Sequence, residues 1–300
     1  MKLRRSSLSS RESLAGFLFV SPMLLGVAFL TVIPILIMFV LSFADWNIVM
    51  GMDVDNMKWV GIEHFRKLWD DAFFVRSLRN NLVFLLSVPV YLIVSLLLAV
   101  AIDRSVYMKG YFKVVFFLPY ISSVVAVATV WQVLFHPSKG PVNGVLRAIG
   151  FSNPPAWIAD PNYALISLMM ITVWVSIGFN MIVYMAGLQA IPKDLYEAAE
   201  IDGAGSWTRL RKITIPLLSP TTFFLLITGV ISTFKIFDLV AVLTRGGPAS
   251  STTVLVWDIY FEAFENLKVG YASSMGVILL AIVLLITLGQ WAGQKKWVNY

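Results

Sequence analysis

Cysteine is absent from this 300-residue chain, and histidine occurs twice, as His64 and His136. The first absence excludes disulfides, thiolate metal sites and a cysteine nucleophile, and two isolated histidines build no histidine-rich metal centre. Charge is scarce as well: 13% of residues are charged against 58% hydrophobic, and mean hydropathy is +0.80. Soluble domains carry about 25% charged residues, so this composition describes a polytopic membrane protein. Neither a G-x-x-x-x-G-K-[ST] phosphate loop nor a G-x-S-x-G nucleophile turn occurs. The chain therefore lacks the motif for ATP hydrolysis of its own and any catalytic constellation, and is expected not to be an enzyme.

What is present is a succession of apolar runs. A basic, serine-rich stretch, residues 1–14, precedes a charge-free run from Ala15 to Phe43 that is too long for a signal-peptide core and reads as a first span. Five more runs are long enough to cross the hydrocarbon core: 80–102, 114–135, 163–191, 217–242 and 271–294. The expected fold class is all-α, a six-helix membrane bundle occupying 15–294, with residues 295–300 beyond it. Six spans place both ends on one side. On that side the connections hold thirteen Lys and Arg in fifty-six residues, against nine in ninety-one on the other. The first side is thus read as cytoplasmic, and the net charge of +6 reflects the positive-inside rule rather than nucleic-acid binding. In the first outer connection, apolar residues from Ile62 to Phe74 recur at helical spacing among charges and suggest an interfacial helix. In the second, a short helix is expected over 142–149.

The cytoplasmic connection 192–216 is the most patterned stretch. Pro192 ends the preceding helix, Asp194 is placed to cap the next, and Glu197 three positions on completes a capping box. The helix runs to Asp202 and stops at Gly203, which enters the left-handed conformation without a Cβ penalty. Ser206 then caps a second helix, 207–215, closed by Pro216.

Glu197-Ala198-Ala199, Asp202-Gly203-Ala204, Ile213 and Pro216 resemble the EAA loop of ABC-importer permeases, with Leu210 where that family usually has phenylalanine. Blocks elsewhere, Phe237-Asp238-Leu239, Thr244-Arg245-Gly246-Gly247-Pro248 and Val60-Gly61-Ile62-Glu63-His64-Phe65, are similar to the carbohydrate-uptake members. The resemblance implies a transport subunit in a prokaryotic inner membrane. Its partners would be a second, homologous permease, two ATPase subunits that hold ATP and Mg, and an extracytoplasmic solute-binding protein. This chain would bind no cofactor. The loop Glu197–Pro216 would insert into the ATPase, with Leu210 as an apolar knob, and the solute would be a sugar or a glycerol-phosphate-like polyol. A secondary transporter working alone would show internal repeats or several intramembrane carboxylates. No convincing repeat is visible, and Asp238 stands alone within the spans.

Polar groups inside spans are candidates for a solute path. Lys235 and Asp238, at i and i+3 of the fifth span, are expected to share a helical face, either as a neutralising pair or as lining. The fourth span also offers Ser176, and its Trp174, Asn180 and Tyr184 are expected to share roughly one face and to suit a sugar, or else to pack between helices.

Overall fold

The computed structural model describes residues 10–46, 57–105, 107–295 and 297–298. Residues 1–9 of the basic N-terminal stretch and positions 296, 299 and 300, all in ends expected to be cytoplasmic, lie outside the described residues. The chain divides into two units, residues 1–66 with 262–277, and residues 67–261 with 278–300.

In the first unit, α1 (Ser10–Val27) passes through a π-helical turn, Ala28–Val32, into α2 (Ile33–Leu41). None of the most apolar window in 15–41 is buried within the chain, as suits a helix facing lipid or another subunit. Two short strands, β1 (Ala44–Asp45) and β2 (Lys58–Trp59), pair antiparallel with Ala44 opposite Trp59. The Ala44 carbonyl also meets His64 Nε2 at 3.3 Å. A helix α3 (Glu63–Asp70) leads from this unit into the second.

The expected interfacial helix is interrupted. Asp71 Oδ1 accepts from the Phe73 and Phe74 amides at 2.8 and 3.4 Å and caps a new helix, α4 (Ala72–Phe84). With α5 (Ser87–Ser105) it forms the second span, Ala72–Asp103, which starts eight residues before the expected 80. The third span is not one helix: α6 (Lys109–Ile121) and α7 (Val124–Leu134) meet at 97°. Pro119 inside α6 lacks an N–H, the Ser122 hydroxyl takes the Leu118 carbonyl at 2.7 Å, and Ser122 and Ser123 are extended. These break the helix inside an unbroken apolar run. At about 1.5 Å per residue neither piece crosses the core alone.

After α8 (Pro141–Ala148) and a 3₁₀ turn at Trp157–Ala159, α9 (Ala164–Gln189) is the fourth span. It packs along α5 and α6, around Tyr91 and Leu92 against Met181, Tyr184 and Met185. A second core joins Phe84, Val127, Leu168, Ile171 and Val240. Then follow α10 (Lys193–Ile201), α11 (Ser206–Arg209), a π-turn Leu210–Thr214, α12 (Ile215–Leu217) and α13 (Ser219–Phe234). The fifth span is also broken, since α14 (Asp238–Leu243) begins after three non-helical residues. The chain continues through α15 (Leu255–Tyr260), a π-turn Phe261–Glu265, and α16 (Val269–Gln294). Among the described residues, five helices are long and apolar enough to cross a membrane, or six if the bent pair is one span.

Candidate functional site

The 192–217 connection folds as a stapled hairpin. Its first helix starts at Lys193, so Asp194 lies in the first turn and makes no side-chain cap. Pro192 occupies the cap position and the expected capping box is not formed; the carboxylate instead sits where the helix dipole favours negative charge. The helix ends as expected at Gly203, with φ +74°. The Gly203 amide donates to the Glu200 carbonyl at 3.0 Å and the Ala204 amide to the Ala199 carbonyl at 2.8 Å. This is a Schellman closure, which a side chain at 203 would strain.

The second helix also differs from expectation. Gly205 takes the cap position without a side-chain bond and Ser206 is already helical. Pro216 does not end the helix. The preceding turn widens, with the Ile215 amide reaching back five residues to the Leu210 carbonyl, so the ring of Pro216 is accommodated within α12.

Two side-chain contacts close the hairpin: the Tyr196 and Thr214 hydroxyls at 2.9 Å, and an ion pair between Arg209 and Glu200. Behind them lies a cleft of about 430 Å³ whose walls include Asp103 of α5 and Leu188 of α9. Glu197, Ala198 and Asp202 are exposed. Leu210 is 9% exposed, so it packs inward and is no docking knob. The apolar side chains that project furthest are Ile201 and Trp207, 87% and 70% exposed, beyond Leu195 and Ile215 at 43% each. Their signal was an apolar residue on the polar hairpin, hidden because helical spacing alone does not say which face is covered.

The intramembrane candidates are not brought together. Trp174 is 42% exposed and packs edge-on against Trp131. Asn180 is buried and donates to the Ser176 carbonyl of its own helix at 2.7 Å. Tyr184 is fully enclosed between α5 and α9. Asn180 and Tyr184, four residues apart on α9, share a buried face that Trp174 does not join, so the three do not line one open surface. Lys235 and Asp238 are exposed and stand on either side of the helix break, Lys235 capping α13 and Asp238 opening α14, so they do not share a helical face. A cavity of about 130 Å³ joins residues of both interrupted spans to α9: Tyr120, Ser122 and Leu239, with Thr172, were missed, whereas Ser176, beside them, is one of the fourth span's polar candidates. Non-helical backbone at membrane depth is tolerated where it lines a cavity or is buried in protein. Among the described residues, no three His, Asp or Glu are gathered as a metal site.

Such a fold, almost wholly helical and multi-pass with a polar hairpin set between two spans, is that of a membrane transport subunit. The chain belongs to the family of binding-protein-dependent transport system inner membrane components, whose profile matches residues 71–294. It is 36% identical to the sn-glycerol-3-phosphate transport system permease protein UgpA of Agrobacterium fabrum, over 82% of this chain and 84% of that one. It is 34% identical to the lactose transport system permease protein LacF of Rhizobium radiobacter, covering 97% and 98%. A crystal structure of a bacterial ABC transporter involved in the import of the acidic polysaccharide alginate contains a similar chain, with TM-score 0.81, 25% identity and coverage of 96% and 98%. These relatives are transport proteins rather than enzymes.

Proposed function

We propose that this chain is one of two homologous permeases that together form the translocation path of an ATP-driven importer for a sugar or related polyol. The observation that carries the reading is the hairpin 193–217, braced internally yet presenting Ile201 and Trp207 to solvent. Ile201 and Trp207 are, on this reading, the apolar part of a contact that a partner protein covers. On this reading separate ATPase subunits, which hold the ATP and Mg, grip the hairpin, and their closure moves the spans as rigid bodies. Glu197 and Asp202 offer charge to the ATPase, Ala198 and Ala199 permit close approach, and Gly203 and Ala204 fix the turn. Leu210 and Pro216 shape the hairpin from within.

The Lys and Arg distribution supports a cytoplasmic side for the hairpin and both chain ends. The solute arrives from the opposite side on a solute-binding protein, as the family description implies. The names of the glycerol-phosphate, lactose and alginate relatives support a polyhydroxylated solute. Its path runs past the two helix breaks, by Ser122, Thr172 and Ser176, with Lys235 and Asp238 beside it. Asn180 and Tyr184 serve packing instead, since the chain itself encloses them.

The test is co-purification of the tagged chain with the products of its neighbouring genes. Wild type is expected to retain an ATPase subunit, and the exposed-site variant Glu197→Lys to lose it while still inserting in the membrane. Absence of ATPase from the wild-type complex would overturn the reading.

A further inference from the structure

Between α14 and α15 the loop 244–254 is held in a costly backbone shape. Arg245, Gly246, Ala249 and Ser250 have φ of 50°, 79°, 49° and 57°. Three of the four carry side chains, and such conformations persist where surrounding structure over-determines them. Here the polar face of α4 does so. Arg76 donates to the Ala249 carbonyl at 2.9 Å, Asn80 to the Ser251 and Thr253 carbonyls at 3.1 and 2.8 Å, and Asn81 accepts from the Leu255 amide at 2.8 Å. The Ser77 hydroxyl donates to the buried Asp258 carboxylate at 3.1 Å.

What this clasp shapes is a pocket of about 200 Å³, walled by Phe73, Trp257 and Phe261 on its apolar side and by Arg245, Ser250 and Asp258 on its polar side. The aromatic surface continues away from the pocket. Trp257 stacks on Tyr260 at 5.8 Å and on Phe237 at 6.0 Å, and Phe237 is the last residue of the break in the fifth span. A rigid aromatic wall facing hydrogen-bonding groups matches a pyranose ring, which has apolar C–H faces and a rim of hydroxyls. Arg245, exposed at the rim, adds affinity for a ring carrying a carboxylate.

We infer that this pocket is an entry subsite, holding one sugar ring of the solute on the outer side before it passes along Trp257, Tyr260 and Phe237 to the broken fifth span. The inference rests on the importer reading and deepens it by naming where a pyranose is first held by the permease.

The experiment uses the full complex with its ATPase subunits in lipid nanodiscs, with methyl glucopyranoside and methyl glucopyranosiduronic acid as probes. Saturation-transfer NMR is expected to show contact with the ring C–H protons. Phe73→Ala, at a position 59% exposed where the fold tolerates change, and Trp257→Leu should each weaken binding by roughly three- to tenfold, the scale of a lost aromatic contact. Arg245→Gln should weaken the acidic glycoside more than the neutral one. No transfer in wild type, or equal transfer in the Phe73 and Trp257 variants, overturns the subsite. ATPase subunits recovered in that same sample would leave the importer reading standing, whereas their absence would remove both.

Discussion

The hydroxyls of Tyr196 and Thr214 lie 2.9 Å apart across eighteen residues of sequence, joining the start of the hairpin's first helix to the π-turn that closes its second. Thr214 is fully buried, so the bond forms where water competes little. Such a bond is worth about 1 kcal/mol net, close to a fivefold change in equilibrium. Tyr196→Phe is therefore expected to leave membrane insertion unchanged and to lower ATPase retention roughly fivefold. Thr214→Val should do the same, and the double variant should be no worse than either single one, because both remove one interaction. Fully additive losses would mean that the two hydroxyls do not act as a pair.

Gly203 closes the same hairpin by a different means, since its φ of +74° suits glycine and little else. A Cβ in the left-handed region costs about 1–2 kcal/mol, and asparagine visits that region more readily than alanine. ATPase retention should fall in the order Gly203, Gly203→Asn, Gly203→Ala. No atom outside the adjoining residues lies within 4 Å of a Cβ there, so an effect would report backbone conformation rather than a clash. Equal retention by all three would show that the turn is not held in this form when the ATPase binds.

Ile201 and Leu210 separate docking from folding. Ile201 is 87% exposed and Leu210 is 9% exposed. Ile201→Glu is expected to abolish ATPase retention while leaving the unfolding midpoint in detergent unchanged, and Trp207→Ala to weaken it. Leu210→Ala should lower that midpoint by removing buried packing worth about 2 kcal/mol or more. Retention of the ATPase by both Ile201→Glu and Trp207→Ala would place the contact elsewhere on the chain.

Much of this was legible in the sequence, and the failures have physical causes. The fourth and sixth spans were expected at 163–191 and 271–294 and are found at Ala164–Gln189 and Val269–Gln294, because hydropathy alone defines an unbroken membrane helix. Gly203 announced the hairpin's turn by its type. The bend in the third span and the interruption of the fifth were not foreseen, because an apolar run looks the same whether the helix within it continues or breaks. Pro119 and Ser122 carried a cue for the first bend. Nothing comparable marks the second, where Lys235 and Phe237 adopt non-helical backbone although the proline and glycine of that run, Pro220 and Gly229, lie six residues or more away. Leu210 was expected to project and is buried, while Trp207 projects instead, because which side of a short amphipathic helix is covered depends on what packs against it.

Gly178 sets how closely α6 approaches α9, and through α6 the position of Ser122 at the edge of the cavity between the breaks. A Cβ at 178 would fall 2.0 Å from the Phe116 carbonyl oxygen and 2.7 Å from the Phe117 Cα, both backbone atoms that cannot rotate away. Small residues at such crossings are what allow membrane helices to pack backbone to backbone. Gly178→Ala must therefore push the helices apart, at a cost of about 1–3 kcal/mol for overpacking. It should lower the unfolding midpoint in detergent and reduce solute uptake together. Gly289→Ala is the control, since nothing lies within 4 Å of a Cβ at that position, and it should change neither. A Gly178→Ala chain as stable as the Gly289→Ala chain would show that α6 and α9 are not in backbone contact, and would detach Ser122 from the fourth span and from the path assigned to it.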